Sequence, residues 1–226
     1  MARCISSHPR RAAYGPTQTL LYTFLRFPPP IIGFWEPQDG LVIDQNGALY
    51  GSTTRGRVVY RLSPPTTPGG AWSATSFGGV FYDISGLTIS PSGWLYGVDN
   101  IPFRGHKLIG IRIVPGAGPN YVESPFNLQG SGPGWELVSD KNGMLYGTDR
   151  DAQVVYKAIP PAVSGGDWSY SVLYTFSGSD GSDPLGRLLM DESGNLFGAT
   201  LTGGTGNRCH NYPLYPAGCG TVFELQ

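Results

Sequence analysis

Four positions could bring their side chains to one ligand. Thr53, Asp99, Asp149 and Thr200 each lie two residues beyond a glycine of a recurring hexapeptide. Two carboxylates and two hydroxyls at equivalent strand ends could hydrogen-bond a polyol, or hold a hard cation such as calcium with water. The same groups could instead satisfy backbone amides in turns, a common use of Asp and Thr. Phe34, Trp35, Tyr82, Phe103 and Trp135 fall in nearby loops, among Glu36, Asp39, Asp83, Arg104, His106 and Glu136. Rings beside carboxylates and cations suit stacking on a sugar with hydrogen bonds to its hydroxyls. They could equally plug a narrow ring of sheets as ordinary packing. For acid/base chemistry the pool is Asp99, Asp149, Glu136 and His106, with Asp99 and His106 as one carboxylate–histidine pair. No Gly-x-Ser-x-Gly elbow exists, and His8, His106 and His210 are too scattered for a three-histidine metal site. No metal is assigned.

The elements that must hold these residues repeat four times. Asn46-Gly47-Ala48-Leu49-Tyr50-Gly51 returns as Ser92-Gly93-Trp94-Leu95-Tyr96-Gly97. It returns again as Asn142-Gly143-Met144-Leu145-Tyr146-Gly147 and as Ser193-Gly194-Asn195-Leu196-Phe197-Gly198. A spacing of about 46–51 residues is that of a repeat architecture. The third copy reads most clearly. Leu137–Asp140 is a strand, turned at Asn142-Gly143, a pair that favours the φ > 0 hairpin turns. Met144–Thr148 runs back, Gln153–Ala158 follows to Pro160-Pro161, and Trp168–Phe176 is the fourth strand. The first copy matches with Leu41–Asp44, Ala48–Ser52, Arg57–Leu62 and Trp72–Phe77. The second is looser: Leu87–Ser90, Trp94–Val98, Lys107–Val114 and Tyr121–Phe126. The fourth has Leu188–Asp191, Asn195–Ala199 and Thr221–Leu225, one strand short. Thr19–Phe24 repeats the Leu-Tyr-Thr-Phe of the third copy's outer strand and would supply the missing one.

The expected fold is therefore all-β, a four-bladed β-propeller closed by an N-terminal outer strand, since closure removes exposed sheet edges. Residues 1–18 form a tail and 19–226 the propeller, with repeats at 40–77, 86–126, 135–176, and 187–226 joined by 19–24. A fragment of a longer array, or an outer strand exchanged between subunits, would fit the same pattern. The hexapeptide turns are short and alike and share one face. The opposite face carries long, dissimilar loops, where binding residues usually sit. Asp44, Asp140 and Asp191 precede the turn glycines and read as turn-formers. Trp72 and Trp168 occupy matching outer-strand positions that suit packing between blades.

Composition supports this reading. Only 14% of the 226 residues are charged, with Gly 34 and Pro 20 punctuating aromatic and β-branched runs. Net charge is −1 and no basic stripe exists, which argues against nucleic-acid binding. No run of about 18 apolar residues suggests a membrane span. The stretch before Leu20 has Arg3, Arg10 and Arg11 but no apolar core, so it does not read as a secretory signal. Cys209 and Cys219 bracket a loop that a disulfide would staple; the alternative is two free thiols. Without CxxC spacing they do not read as a zinc site. Cys4 is left over.

The chain also resembles the GloVer-type tandem-repeat family. The likeness rests on Gly194–Thr200, Gly203-Gly204, Gly220-Thr221-Val222-Phe223-Glu224-Leu225, Val172–Phe176 and Asp180–Pro184. That resemblance implies a β-propeller and an extracellular or cell-surface setting, and no catalytic residues. A second likeness, through Val155-Tyr156-Lys157, Pro160-Pro161 and Trp168, is to tachylectin-type propeller lectins. It implies carbohydrate binding. The leading expectation is a non-catalytic, lectin-like carbohydrate- or glycan-binding propeller using Trp35, Glu36, Thr53, Tyr82, Asp83, Asp99, Arg104, His106, Trp135, Asp149 and Thr200. A hydrolase or lyase with an acidic central cleft, and a protein-interaction scaffold, are the alternatives. The partner is a glycan or small polar ligand, and oligomeric state is left open.

Overall fold

A computed structural model describes residues 19–24, 37–53, 57–78, 82–101, 105–112, 120–128, 136–161, 166, 168–206 and 218–226. These residues form strands and turns and no helix. The first sheet joins β1 (Pro37–Ile43), β2 (Leu49–Thr53), β3 (Val58–Ser63) and β4 (Ser73–Gly78). The second joins β5 (Ile84–Ile89), β6 (Trp94–Ile101), β7 (Gly105–Arg112) and β8 (Asn120–Leu128). The third joins β9 (Val138–Ser139), β10 (Leu145–Asp149), β11 (Val154–Ile159) and β12 (Ser169–Thr175). All three are antiparallel meanders in chain order, as the repeat predicts.

The fourth sheet contains β13 (Ser182–Pro184), β14 (Leu189–Met190), β15 (Leu196–Thr202) and β16 (Thr221–Leu225). Here β13 and β14 both pair with β15, at Thr200–Thr202 and at Leu196–Phe197, while β16 pairs along its other side. They are two halves of one interrupted inner strand. The same interruption bends β1 between Gln38 and Val42, and β5 between Ser85 and Thr88.

The expected outer strand at Thr19–Phe24 is not formed: these residues have no ladder to β16. Side-chain packing holds the segment instead. Phe24 meets Tyr60 of β3 edge-on at 4.9 Å, and Tyr22 meets Phe24 at 5.2 Å. The pattern repeats after β12, where Tyr174 meets Phe176 at 5.1 Å and Phe176 meets Phe223 of β16 at 5.0 Å. The Tyr-Thr-Phe segment thus bears on the first sheet as its copy bears on the fourth.

The hairpins also differ from expectation in turn type. Gly47 N donates to Asp44 O at 3.0 Å, and Asp44 N to Ala48 O at 2.9 Å. Among the turn residues only the glycine, at φ 78°, is left-handed, giving a three-residue loop with a glycine bulge rather than a two-residue Asn-Gly turn. The aspartate explains the choice. Asp44 Oδ1 accepts from Asn46 N and Ala48 N, both at 2.9 Å, which stabilises the longer loop. Asp140 and Asp191 accept from the matching amides. All three are turn-formers, as read from the sequence.

Core side chains alternate between sheet interfaces. Leu95 packs with Ala48, Tyr50 and Val59 of the first sheet, while its neighbour Tyr96 turns to Leu137, Leu145 and Tyr156 of the third. Val155 and Phe176 then meet Leu188 and Leu196 of the fourth. Strands buried on both faces yield about 1.5–3 kcal/mol for each large apolar side chain. Trp168 meets Tyr96 edge-on at 5.8 Å, the inter-sheet role expected of it. The second glycine of each hexapeptide has a packing reason. Gly51, Gly147 and Gly198 lie opposite Tyr60, Tyr156 and Phe223, whose rings occupy the space a Cβ would need.

Candidate functional site at the long-loop end

The inner strands run from the long-loop end toward the hexapeptide turns, and β2, β6, β10 and β15 return. Thr53, Asp99, Asp149 and Thr200 consequently sit where these strands approach the long loops. Their exposures are only 2%, 3%, 1% and 5%. Asp99 Oδ1 accepts from Tyr82 N at 2.8 Å and Asp83 N at 3.2 Å. Asp149 Oδ1 accepts from Asp151 N at 3.0 Å and Ala152 N at 2.9 Å. Thr53 Oγ1 donates to Val58 O at 3.4 Å. Thr200 Oγ1 donates to Thr202 O and accepts from Thr221 N, both at 2.9 Å. Each of the four groups is engaged by backbone groups of, or leading into, its own sheet. Among the described residues, no group of three His, Cys, Asp or Glu side chains could hold a metal ion.

A different acidic group gathers nearby. Ile84 pairs with Asp99 as Pro37 pairs with Thr53 and Pro184 with Thr200, which makes these three positions equivalent. Two residues on, the backbone is left-handed in each case: Gly86 at φ 64°, Gly186 at φ 93°, and Asp39 at φ 71°. Asp39 holds where its counterparts are glycine, a conformation costing a side-chain-bearing residue about 1–3 kcal/mol. Its Oδ2 accepts from Gly86 N at 2.6 Å, tying the first sheet to the second.

Asp83 lies beside this contact, half-buried at the entry to β5. Its carbonyl accepts from Asn100 N at 2.9 Å and Asn100 Nδ2 at 3.0 Å. Burial pushes its carboxyl pKa above the usual carboxylate range, and the charges of Asp39 and Asp99 push it further. A carboxyl with raised proton affinity beside another carboxylate is the arrangement that general acid/base chemistry uses.

A small cavity lies against Asp39. It has a volume of about 20 Å³ and is lined by Asp39, Gly86, Leu87, Glu136, Leu137 and Arg187. All four sheets, or the residues leading into them, contribute to this constriction. A space of that size holds about one water. A ligand larger than water does not fit within it.

Of the other expected ligand residues, Tyr82 is exposed at 44%, with the Arg57 guanidinium 4.5 Å above its ring. Glu136 is half-buried at the constriction. His106 pairs through its backbone with Asn100 in the β6–β7 ladder, and its side chain lies outside the described residues. Trp35, Glu36, Arg104 and Trp135 lie outside them entirely, as do Phe34, Phe103 and Cys209. Sequence reasoning missed Arg57, Arg187 and the central part of Asp39. The usable signal for Asp39 was an aspartate aligned with glycines, visible only once the strand register is known.

No family model matches the chain, and no curated protein matches it. Solved structures do. One is a protein assigned as a gluconolactonase, at 17% identity and a TM-score of 0.50, covering 71% of this chain and 56% of that one. Another is a streptogramin B lyase, at 12% identity and a TM-score of 0.50, covering 82% and 53%. The chain thus spans about half the length of the structures it matches. No helix among the described residues is long and apolar enough to cross a membrane. At these identities the likeness is one of fold: an all-β, propeller-like stack of four antiparallel sheets.

Proposed function

We propose that this chain is a hydrolase or lyase acting on a small hydroxylated, sugar-derived substrate at the long-loop end of the axis. The observation that carries this reading is Asp83, half-buried with raised proton affinity beside Asp39, itself held in a left-handed backbone conformation. In this reading Asp83 takes a proton from water or substrate and returns it to the leaving oxygen. Asp39 sets the charge around it, and Glu136 and Arg187 line the floor. Trp35, Glu36, Tyr82, Arg104, His106 and Trp135 are the proposed walls and polar contacts. Asp99 and Asp149 hold the loops rather than the substrate. A sugar lactone is the first substrate to try, because one fold neighbour is assigned as a gluconolactonase. A purely glycan-binding role fits less well, since stacking on a sugar needs no carboxyl of raised proton affinity.

The test is turnover of glucono-δ-lactone and related sugar lactones by the purified chain, with Asp83→Asn beside it. A loss of about 10²–10⁴-fold in kcat with the fold retained supports the reading. Absence of turnover, with glycan binding that survives Asp83→Asn, refutes it in favour of a lectin-like role.

Four blades closed into a ring, with Thr19–Phe24 packed at the closure through its rings rather than hydrogen-bonded to β16, belong to the same proposal. The matched Phe24–Tyr60 and Phe176–Phe223 contacts support it. A Cys209–Cys219 disulfide and an extracellular location complete it. In support of the disulfide, a Cβ on Gly206 would lie 3.8 Å from Cys219 Sγ, and Gly220 N donates to Gly203 O at 3.0 Å. The described residues before and after that loop, Gly203 to Gly206 and Cys219 to Gly220, therefore lie side by side.

A further inference from the structure

The hexapeptide turns share a backbone, but their side chains differ, and between three of them a cavity of about 590 Å³ opens. It lies at the opposite end of the inner strands from Asp83. Its volume is that of a small-molecule site. Ile43, Ile89 and Pro91 form an apolar wall, and Ile43 is 61% exposed.

The two carboxylates of the polar lining are engaged by the turns. Asp44 Oδ1 is taken by two turn amides, and its Oδ2 accepts from Tyr50 OH at 3.0 Å. Asp140 Oδ1 likewise accepts from Asn142 N and Met144 N, and its Oδ2 from Tyr146 OH at 3.1 Å. The cations are less committed. Arg61 Nη2 reaches Asp44 Oδ2 only at 4.0 Å and the Arg61 side chain is 29% exposed, while its Nε is buried with no hydrogen-bond partner among the described residues. Lys141 is exposed and makes no ion pair among the described residues. Ser90 and Ser92 add hydroxyls, 2.9 Å apart.

We propose that this cavity is a second ligand site, on the turn face, for a small carboxylate bearing several hydroxyls, the chemistry of a sugar acid. Arg61 and Lys141 take the carboxylate, a guanidinium being suited to its two oxygens. The serine hydroxyls meet the ligand's hydroxyls, and the apolar wall covers its C–H face. A neutral sugar lacks the group that the two cations address. The site shares no residue with the proposed catalytic one, and the inference does not rest on that reading.

Isothermal titration of the full chain with D-gluconate and, separately, D-glucose tests it. Gluconate should bind at least tenfold more tightly than glucose, and more weakly as salt rises. Arg61→Gln and Lys141→Gln should each weaken gluconate by roughly tenfold, the scale of one charged hydrogen bond, and leave glucose unchanged. Lys141 lies on an exposed turn, so its variant reports even if Arg61→Gln disturbs the turn it braces. Asp83→Asn should leave the Lys141-dependent gluconate binding intact. Gluconate and glucose bound alike, no gluconate binding, or unchanged affinity in Lys141→Gln would each overturn the proposal. Loss of binding in Asp83→Asn would move the ligand to the other face and overturn it as well.

Discussion

Replacing Gly147 by alanine would put a methyl carbon 2.5 Å from the hydroxyl oxygen of Tyr156, 2.7 Å from its Cζ and 3.1 Å from its Cε1. Two of these contacts lie about 1 Å inside the optimum of roughly 3.5–4.0 Å for non-bonded carbons. The ring has little room to yield. Tyr156 has 0% exposure and belongs to the cluster with Tyr96, Leu137 and Leu145, against which Trp168 and Tyr170 also pack. Overpacking of this kind costs about 1–3 kcal/mol, and two such contacts on a fixed ring point to the upper half, about 2–3 kcal/mol. For a chain of this size each kcal/mol moves Tm by about 2–4 °C, so Gly147→Ala should melt about 4–12 °C lower. Urea unfolding followed by circular dichroism, with calorimetry alongside, measures both quantities. Gly40→Ala is the control, since nothing lies within 4 Å of a Cβ there. In a Tyr156→Leu background the cost of Gly147→Ala should fall by more than about 1 kcal/mol, because contacting residues couple. The packing argument is wrong if Gly147→Ala and Gly40→Ala agree within about 0.5 kcal/mol. It is equally wrong if removing the ring leaves the alanine's cost unchanged.

Other expectations follow from the same contacts. The Tyr156 hydroxyl is buried without a hydrogen-bond partner among the described residues, so Tyr156→Phe should stabilise the protein by about 1 kcal/mol in the same urea experiment. Asp83 has a folded-state pKa above its unfolded value, so the folded form binds more protons and stability falls as pH rises through the range above 3.8. Asp83→Asn should flatten that limb and be the more stable protein at pH 7, as pH-dependent melts can check. Asp180 is displaced the other way, down to about 2, chiefly by the Tyr174 hydroxyl and then by Ser177. Its contribution is present above pH 3.8 and lost as pH falls toward 2, and Tyr174→Phe should shift the acid-unfolding midpoint upward. Asp140→Ala removes the acceptor for Asn142 N, Met144 N and Tyr146 OH, and should cost about 1.5–3 kcal/mol with the meander otherwise kept, read by urea titration.

Much of the fold was legible because the repeat carries local instructions. Gly47, Gly93, Gly143 and Gly194 mark the turns, and Asp44, Asp140 and Asp191 hold theirs through amides two and four residues away. Such interactions need only the neighbouring chain. The Thr19–Phe24 segment was misjudged for the complementary reason. Its Leu-Tyr-Thr-Phe pattern specifies which rings meet, and Phe24 does meet Tyr60, but pattern alone does not decide whether a ladder to β16 forms.

At the candidate site, residue type and spacing name groups without saying what each one binds. Asp99 and Asp149 were singled out by type and spacing, yet both turn a carboxylate oxygen onto amides one loop away. Spacing cannot tell a carboxylate offered to a ligand from one consumed by the backbone.

The sequence by itself determined what depends on near neighbours: the strands, their turns, and the glycines that let an aromatic ring cross the adjacent strand. Only the tertiary structure decided what depends on register between sheets. Asp39 sits where Gly86 and Gly186 sit, and the partly buried Asp83 lies within reach of its charge. Arg61 and Lys141 share a cavity with turns from three sheets. The physical reason is range. A turn or a cross-strand pair is set by a few residues of chain, whereas burial and the field of a neighbouring charge depend on what the rest of the molecule brings alongside.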